Sequence, residues 1–332
     1  AQAEVDPETR IGSHTPLHLA SGQAQDVVVK KLLEAGADVD AATSTSSVTA
    51  LHLAAQVVGG AESVKILLAN GADPNVRETS SGQTPLMFAA AKNRSESAML
   101  LLSAGADPNI STVIIDVLQH VLADQQAGRF LRNELSDYIS NDRVMDASGD
   151  YVNTNSAAKD NEPSVDEVQA AIRAQREFLK SAELYRDYGP EDLISYRPDY
   201  PGGPDLPRLP YRETLVGKVG GMTALLHASR EGNSEVAMTL IEGGADINQV
   251  SGGDETSPLL IAALNGQFDV AMMLVEQGAD PNLAANTDGS SPLFAVLQTQ
   301  WAPKSNYPQP RAQDKQETEY LGLLNALLEA PP

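Results

Sequence analysis

Five histidines, His14, His18, His52, His120 and His227, are the side chains best suited to proton transfer or metal ligation in this chain of 332 residues. Their setting supports neither chemistry. No His-Glu-x-x-His phrase occurs, His120 has no partner at i+4, and the chain has no cysteine. Zinc ligation and thiolate catalysis therefore lack a signature. No Gly-x-Ser-x-Gly elbow marks a serine nucleophile. The stretch DASGDYVNTN from Asp146 holds Asp, Asn and Gly, as calcium loops do. It lacks their alternation and the Glu at the twelfth place, and reads as a polar loop. The expectation is a protein that is not an enzyme and has no cofactor or metal.

The elements that must position these residues come from a repeat. EAGADVD starts at Glu34, NGADPN at Asn70, AGADPN at Ala104, GGADIN at Gly243 and QGADPN at Gln277. The glycines before Ala-Asp, namely Gly36, Gly71, Gly105, Gly244 and Gly278, are spaced 35, 34, 139 and 34 apart. A second phrase keeps step: TPLHLA at Thr15, TALHLA at Thr49, TPLMFA at Thr84, TALLHA at Thr223, SPLLIA at Ser257 and SPLFAV at Ser291. Thr or Ser suits a helix N-cap, and Pro suits the first turn, where no N–H is needed. Leu17, Leu51, Leu86, Leu225, Leu259 and Leu293 then point inward. A second apolar helix follows each phrase, and the glycine after it suits a left-handed C-cap.

These phrases closely resemble the ankyrin repeat, whose unit of about 33 residues opens its first helix with T-P-L-H-x-A. The resemblance implies an all-α solenoid of helix pairs and hairpin loops, covering about two thirds of the chain. It implies a structural role for His18 and His52, whose imidazoles satisfy backbone groups near the helix start. His227 falls one place later, because Leu226 takes the histidine position. It also makes Asp38, Asp73, Asp107, Asp246 and Asp280 turn-formers, and places VSGGDETS and AANTDGSS at hairpin tips, away from any strand-to-helix phosphate cradle.

Residues 1–110 hold copies one to three, 111–220 an insertion and 221–332 copies four to six. STVIIDVLQHVLADQQ, from Ser111, predicts a helix with an apolar face. SDYISNDRVMDASGDYVNTNSAAKDNEP reads as loop. SVDEVQAAIRAQREFLKSAELYRDY predicts the longest helix, with a capping box at Ser164 and Glu167. Two helices and a long connection suggest a degenerate repeat continuing the solenoid, an excursion packed outside being the alternative. RPDYPGGPDLPRLPYR follows, with proline at every third place from Pro198 to Pro210. That is the polyproline II period. The expectation is an extended strap on the protein's own surface, a ligand for a separate groove being the alternative.

In copy six the second helix is YLGLLNALLEA, and extra residues that include Trp301 and Tyr307 separate it from the first. The glycine due at 331 is replaced by Pro331, which predicts that the native chain continues. The insertion and the Trp-Ala-Pro-Lys…Tyr-Pro-Gln-Pro segment are similar to those of a group of exported bacterial ankyrin proteins. That implies a periplasmic or extracellular location, with the cytoplasm as alternative. The small residues of AQAEVDPETR suit a mature start, and the absence of cysteine suits an oxidising compartment.

The net charge of −22 argues against nucleic acid, and no apolar run is long enough to span a membrane. Between Arg230 and Lys304 there are ten acids and no Lys or Arg. Such a surface is either a solubility device or a dock for a cationic partner. The function expected is a protein-binding scaffold acting through hairpin tips and concave face. The candidate residues are Arg77, Glu78, Glu231, Asp254, Glu255 and Asp288, with Trp301 and Tyr307 as aromatic anchors. Two alternatives are a ligand or enzymatic site between insertion and solenoid, and a fixed subunit of a larger assembly.

Overall fold

The computed structural model describes residues 4–117, 143–145, 151–153, 165–180, 217–301 and 311–330. The chain forms two compact units: residues 1–115 with 218–332, and residues 116–217.

The first unit is the helical stack. Its first helices are α1 (Pro16–Gly22), α3 (Ala50–Gln56), α5 (Pro85–Ala91), α8 (Ala224–Glu231), α10 (Pro258–Leu264) and α12 (Pro292–Trp301). Its second helices are α2 (Asp26–Glu34), α4 (Ala61–Ala69), α6 (Ser95–Ser103), α9 (Ser234–Glu242), α11 (Phe268–Glu276) and α13 (Tyr320–Glu329). Between these two sets, α7 (Val165–Lys180) belongs to the second unit. Leu17, Leu51, Leu86, Leu225 and Leu259 are at most 1% exposed, each one full residue of core per repeat. Burial of one such side chain stabilises by roughly 1.5–3 kcal/mol. The second helices contribute Val29, Leu67, Leu101, Leu240, Leu274 and Leu327 to the same continuous core. The five C-capping glycines have φ between 87 and 93°, a left-handed backbone that a Cβ would strain.

Copies three and four are direct neighbours. Helix α5 packs on α8 and α6 on α9, as α3 packs on α5 and α4 on α6. Asn233 Nδ2 donates to the Ala90 carbonyl at 2.7 Å. The Asp246 N–H donates to Asn109 Oδ1 at 2.8 Å, as the Asp107 N–H does to Asn75 Oδ1 at 2.8 Å within copies two and three. The expected degenerate repeat therefore has no place in the stack, because the face it would cover is already covered by copy four. The intervening residues leave and return at the hairpin tip instead. Strand β1 (Ile114–Asp116) pairs with β4 (Lys218–Gly220), in one two-stranded sheet. Below them the Thr112 N–H donates to the Met222 carbonyl at 3.0 Å, and the Met222 N–H to Thr112 Oγ1 at 2.9 Å.

The helix expected from Ser111 is thus corrected over 114–116, which is strand. The β-branched Ile114 and Ile115 suit the arm of a hairpin, where pairing with β4 satisfies the backbone. His120 lies outside the described residues. In the second unit β2 (Arg143–Met145) and β3 (Tyr151–Asn153) pair antiparallel in the register Arg143↔Asn153, Val144↔Val152 and Met145↔Tyr151. The loop reading of that stretch is corrected accordingly. Helix α7 is the long helix expected there, with Ala171 buried. Ser164 and the proline ladder lie outside the described residues.

Copy six departs from expectation at Trp301, which ends α12 and does not begin the extra segment. Gln298, Thr299 and Gln300 continue the helix, and Pro303 is the first residue unable to do so. Residues 311–319 return along copy five. Asp269 accepts the Glu317 and Thr318 N–H groups at 3.1 and 2.7 Å, and its own N–H donates to Gln316 Oε1 at 3.1 Å.

Direct packing of copies three and four has a measurable consequence. Replacing residues 116–217 by a short Gly-Ser turn should preserve helical circular dichroism per repeat and a cooperative thermal transition. Leu225→Ala, at the first core position of copy four, should instead cost about 2–5 kcal/mol in urea unfolding. Loss of the cooperative transition on loop replacement would show that the stack needs the removed residues.

Candidate functional site

The hairpin tips share one construction. Five residues after the repeat Asp stand Thr43, Glu78, Thr112, Ser251 and Ala285. Each donates its N–H across the loop, to the carbonyls of Val48, Gln83, Met222, Thr256 and Ser290, at 2.9–3.0 Å. The first four also accept an N–H back on the side chain, from Val48, Gln83, Met222 and Thr256. Ala285 has no side-chain acceptor, and Asp288 Oδ1 takes the Ser290 N–H in its place at 2.9 Å.

This construction decides the fate of several candidate residues. Glu78 is 5% exposed, and its carboxylate accepts from the Ser80, Ser81 and Gln83 N–H groups at 2.6, 2.8 and 2.9 Å. Burial alone would raise its pKa, but these backbone bonds outweigh burial and hold it below the usual value. It closes its own loop and has no face for a partner, which corrects its reading as a binding residue. Arg77 is exposed, yet its Nη2 donates to the Ser111 carbonyl of the next tip at 2.7 Å. Asp254 Oδ1 accepts from Ser251 Oγ and from the Thr256 N–H. At Asp288 the bond from the Ser290 N–H lowers the pKa of an otherwise open carboxylate. Glu231 is exposed and forms an ion pair with its neighbour Arg230 at 3.0 Å.

Other acids of the base-free stretch are occupied too. Asp246 and Asp280 accept the N–H groups of Asn248 and Asn282, Glu235 accepts from Ser95 Oγ, and Asp269 holds the returning segment. Seven of the ten acids between Arg230 and Lys304 thus have a structural partner, and Glu242, Glu255 and Glu276 have none among the described residues. Glu255 stands out, because it is exposed at a tip with φ 59°, where the corresponding residues are Ser47, Gly82 and Gly289.

The histidines serve the stack. His18 Nδ1 accepts the Thr15 N–H at 3.2 Å and His52 Nδ1 the Thr49 N–H at 3.2 Å. The proton then sits on Nε2, which donates to the next tip at the Val48 and Gln83 carbonyls, at 3.0 and 3.2 Å. Burial lowers the pKa of His52 to about 4, against the raising effect of the Gln83 carbonyl and the Glu78 charge. His227 is 5% exposed, and burial, with Arg230 nearby, lowers its pKa to about 4. Its Nε2 lies 3.4 Å from Gln83 Nε2, and its Nδ1 is buried without a partner. Among the described residues no three His, Asp or Glu side chains converge on a metal position.

One feature escaped the sequence reading. The residue after the motif's fourth place is Leu19, Leu53, Phe88, His227 and Ile261 in successive copies. Because the first helices stack side by side, these residues form a row, with Leu53 packed over Gly22 of the copy before. Leu19 is 61% exposed and Leu264, one turn after Ile261, is 40% exposed. Leu53, Phe88 and Ile261 are half-buried. The variable place was visible in each phrase, but only the structure shows that its occupants share one side of the stack and how far each is exposed.

Trp301 is 65% exposed and meets Tyr320 edge to face, with ring centroids 5.6 Å apart. Tyr307 lies outside the described residues. A family model described as ankyrin repeats (3 copies) matches residues 17–112 and 209–297, more than half of the chain. A comparison with curated proteins found no match.

Two outcomes follow from this geometry. Glu78→Ala leaves three loop N–H groups unpaired and should destabilise by about 1–3 kcal/mol in urea unfolding. Trp301, the only tryptophan, should emit at long wavelength and be quenched readily by acrylamide in the isolated protein. A blue-shifted, protected emission would contradict its exposure.

Proposed function

Because the chain belongs to the ankyrin-repeat family, whose repeats serve generally as protein–protein interaction modules, we propose that it binds another protein along its first helices and hairpin tips. The observation that carries this reading is the apolar row. Leu19 leaves 61% of its surface in water, Leu53, Phe88 and Ile261 are half-buried, and Leu264, one turn beyond Ile261, leaves 40%. Apolar side chains fill this place in four of five copies, with buried His227 in copy four, and such a set favours burial against a partner.

We further propose that the partner's complementary surface is cationic. Glu255 supports this more than the total charge does, since most of its acidic neighbours are engaged as loop acceptors. A non-glycine residue in the left-handed region costs on the order of 1 kcal/mol. An exposed, unpaired carboxylate is held there at that cost, where two other tips use glycine.

Affinity purification with the full chain identifies the partner, and two variants then test the reading. Leu264→Asp should abolish capture while leaving the helical signal intact. Glu255→Gly should raise stability by about 1 kcal/mol yet slow association at low salt, with the difference vanishing at high salt. Unchanged capture by Leu264→Asp would remove Leu264 and the adjoining end of the row from the binding surface. An unchanged association rate for Glu255→Gly would reduce the acidic stretch to solubility and loop building.

A further inference from the structure

We propose that the first two repeats form an acid-release device, in which His18 and His52 tie each first helix to the following hairpin tip only while uncharged. Each ring makes two bonds of opposite sense. Nδ1 takes the N–H of its own capping threonine, Thr15 or Thr49, and also lies 2.9 or 3.0 Å from that threonine's Oγ1. Nε2–H reaches 30 or 31 residues forward, to the Val48 or Gln83 carbonyl. A proton added at Nδ1 would face the threonine N–H. The bond from that N–H is then lost, and although Oγ1 can turn to accept the new proton, a charge is left where His18 and His52 are 1% and 0% exposed.

The charged and titratable neighbours do not rescue the protonated ring. At His18 they are Asp6, which favours the proton, and His14, which opposes it with its ring 5.7 Å away. At His52 the neighbour is Glu78, whose charge favours the proton but is engaged by three loop N–H groups. The Phe88 ring of α5 also lies against it, at 5.1 Å. Burial lowers both histidines below the ordinary value of 6.5, His52 to about 4. The unfolded repeat therefore binds protons that the folded one refuses. The stabilisation is complete above about pH 6.5 and drains as pH falls toward 4.

The position of the device in the stack gives it a regional effect. The same place is filled in copies three, four and five by Met87, Leu226 and Leu260, at most 1% exposed and without a titrating group. Copies one and two stand at one end of the described stack and can open while copies three to six remain folded, since each repeat contacts only its neighbours. His227 responds to acid in the same direction, with Arg230 and Glu231 as its charged neighbours. It lies in copy four, held on both sides by α5 and α10, so its protonation weakens the stack without freeing an end. Opening of copies one and two would remove Leu19 and Leu53 from the apolar row and release a partner bound there. That last consequence rests on the binding role proposed above; the opening itself does not.

Hydrogen exchange of the full chain, without partner, at pH 7.5 and pH 5 and corrected for intrinsic rates, separates the two. Amides of α3 and α4 should lose about 30-fold in protection at pH 5, from His52 alone. Those of α10 and α11 should change far less. Equal loss in copies two and five, or no loss in copy two, would overturn the device. The double variant His18→Leu with His52→Met, which borrows the residues of later copies, should abolish the pH difference. If that variant does not fold, the His52 ring titration followed by NMR in the natural chain reads the same property. A midpoint near 4 supports the device and one near 6.5 refutes it. If exchange behaves as expected but partner affinity is the same at both pH values, the device stands and partner contact with copies one and two does not.

Discussion

The stack depends on one recurring bond, in which a turn asparagine of one repeat holds the backbone of the next. Asn75, Asn109 and Asn248 accept the N–H groups of Asp107, Asp246 and Asp280. Asn75 and Asn109 also donate to the Gly105 and Gly244 carbonyls. These are backbone groups of the turn that follows each second helix, which hydrophobic packing cannot satisfy. The bond fixes the register between neighbours, and register decides which residues of successive first helices fall into one row. At the described start, Asp6 Oδ2 accepts the Asp38 N–H, so the leading residues supply the same bond without a helix pair of their own.

The asparagine bonds between copies three and four form in spite of the insertion. It enters between Thr112 and Met222, where the neck of the tip is closed by the Thr112 N–H on the Met222 carbonyl and by the Met222 N–H on Thr112 Oγ1. A loop closed at the neck adds closure entropy only slowly with length, so one tip can carry over a hundred residues while its neighbours carry four. Tip-to-tip bonds continue on either side, with the Val113 N–H on the Ser81 carbonyl and the Gly252 N–H on the Gly221 carbonyl. Gly221 and Gly252 approach so closely that a Cβ on the former would lie 2.2 Å from the Gly252 nitrogen.

Acidity has a different meaning in the structure from the one its total suggests. A carboxylate is the best short acceptor for convergent backbone N–H groups, and this chain uses Glu78, Asp246, Asp254, Asp269, Asp280 and Asp288 for that purpose. Their charge is a by-product of loop building. Among the described residues between Arg230 and Lys304 only Glu242, Glu255 and Glu276 remain without partners, and Glu255 is the one held in a costly backbone conformation. Recognition is therefore better sought where a side chain has no structural duty, in the apolar row and at that one tip.

The sequence by itself determined the repeat, its phase, the caps, the inward leucines and the left-handed glycines. Each of these is a local demand of a helix end or a turn, and local demands are written in consecutive residues. Sequence reasoning went astray where the deciding neighbour is distant. Ile114–Asp116 and Arg143–Met145 have helical or loop-like local patterns, but β4 and β3 offer them ladders that no short window contains. Glu78 and Arg77 are adjacent and equally polar, yet one is folded into its own loop and the other reaches the next tip. Whether copy three meets copy four or an intervening repeat was likewise open in the sequence, because an apolar face does not name its partner. Tertiary structure decided it: a solenoid face can be covered once, and copy four covers it.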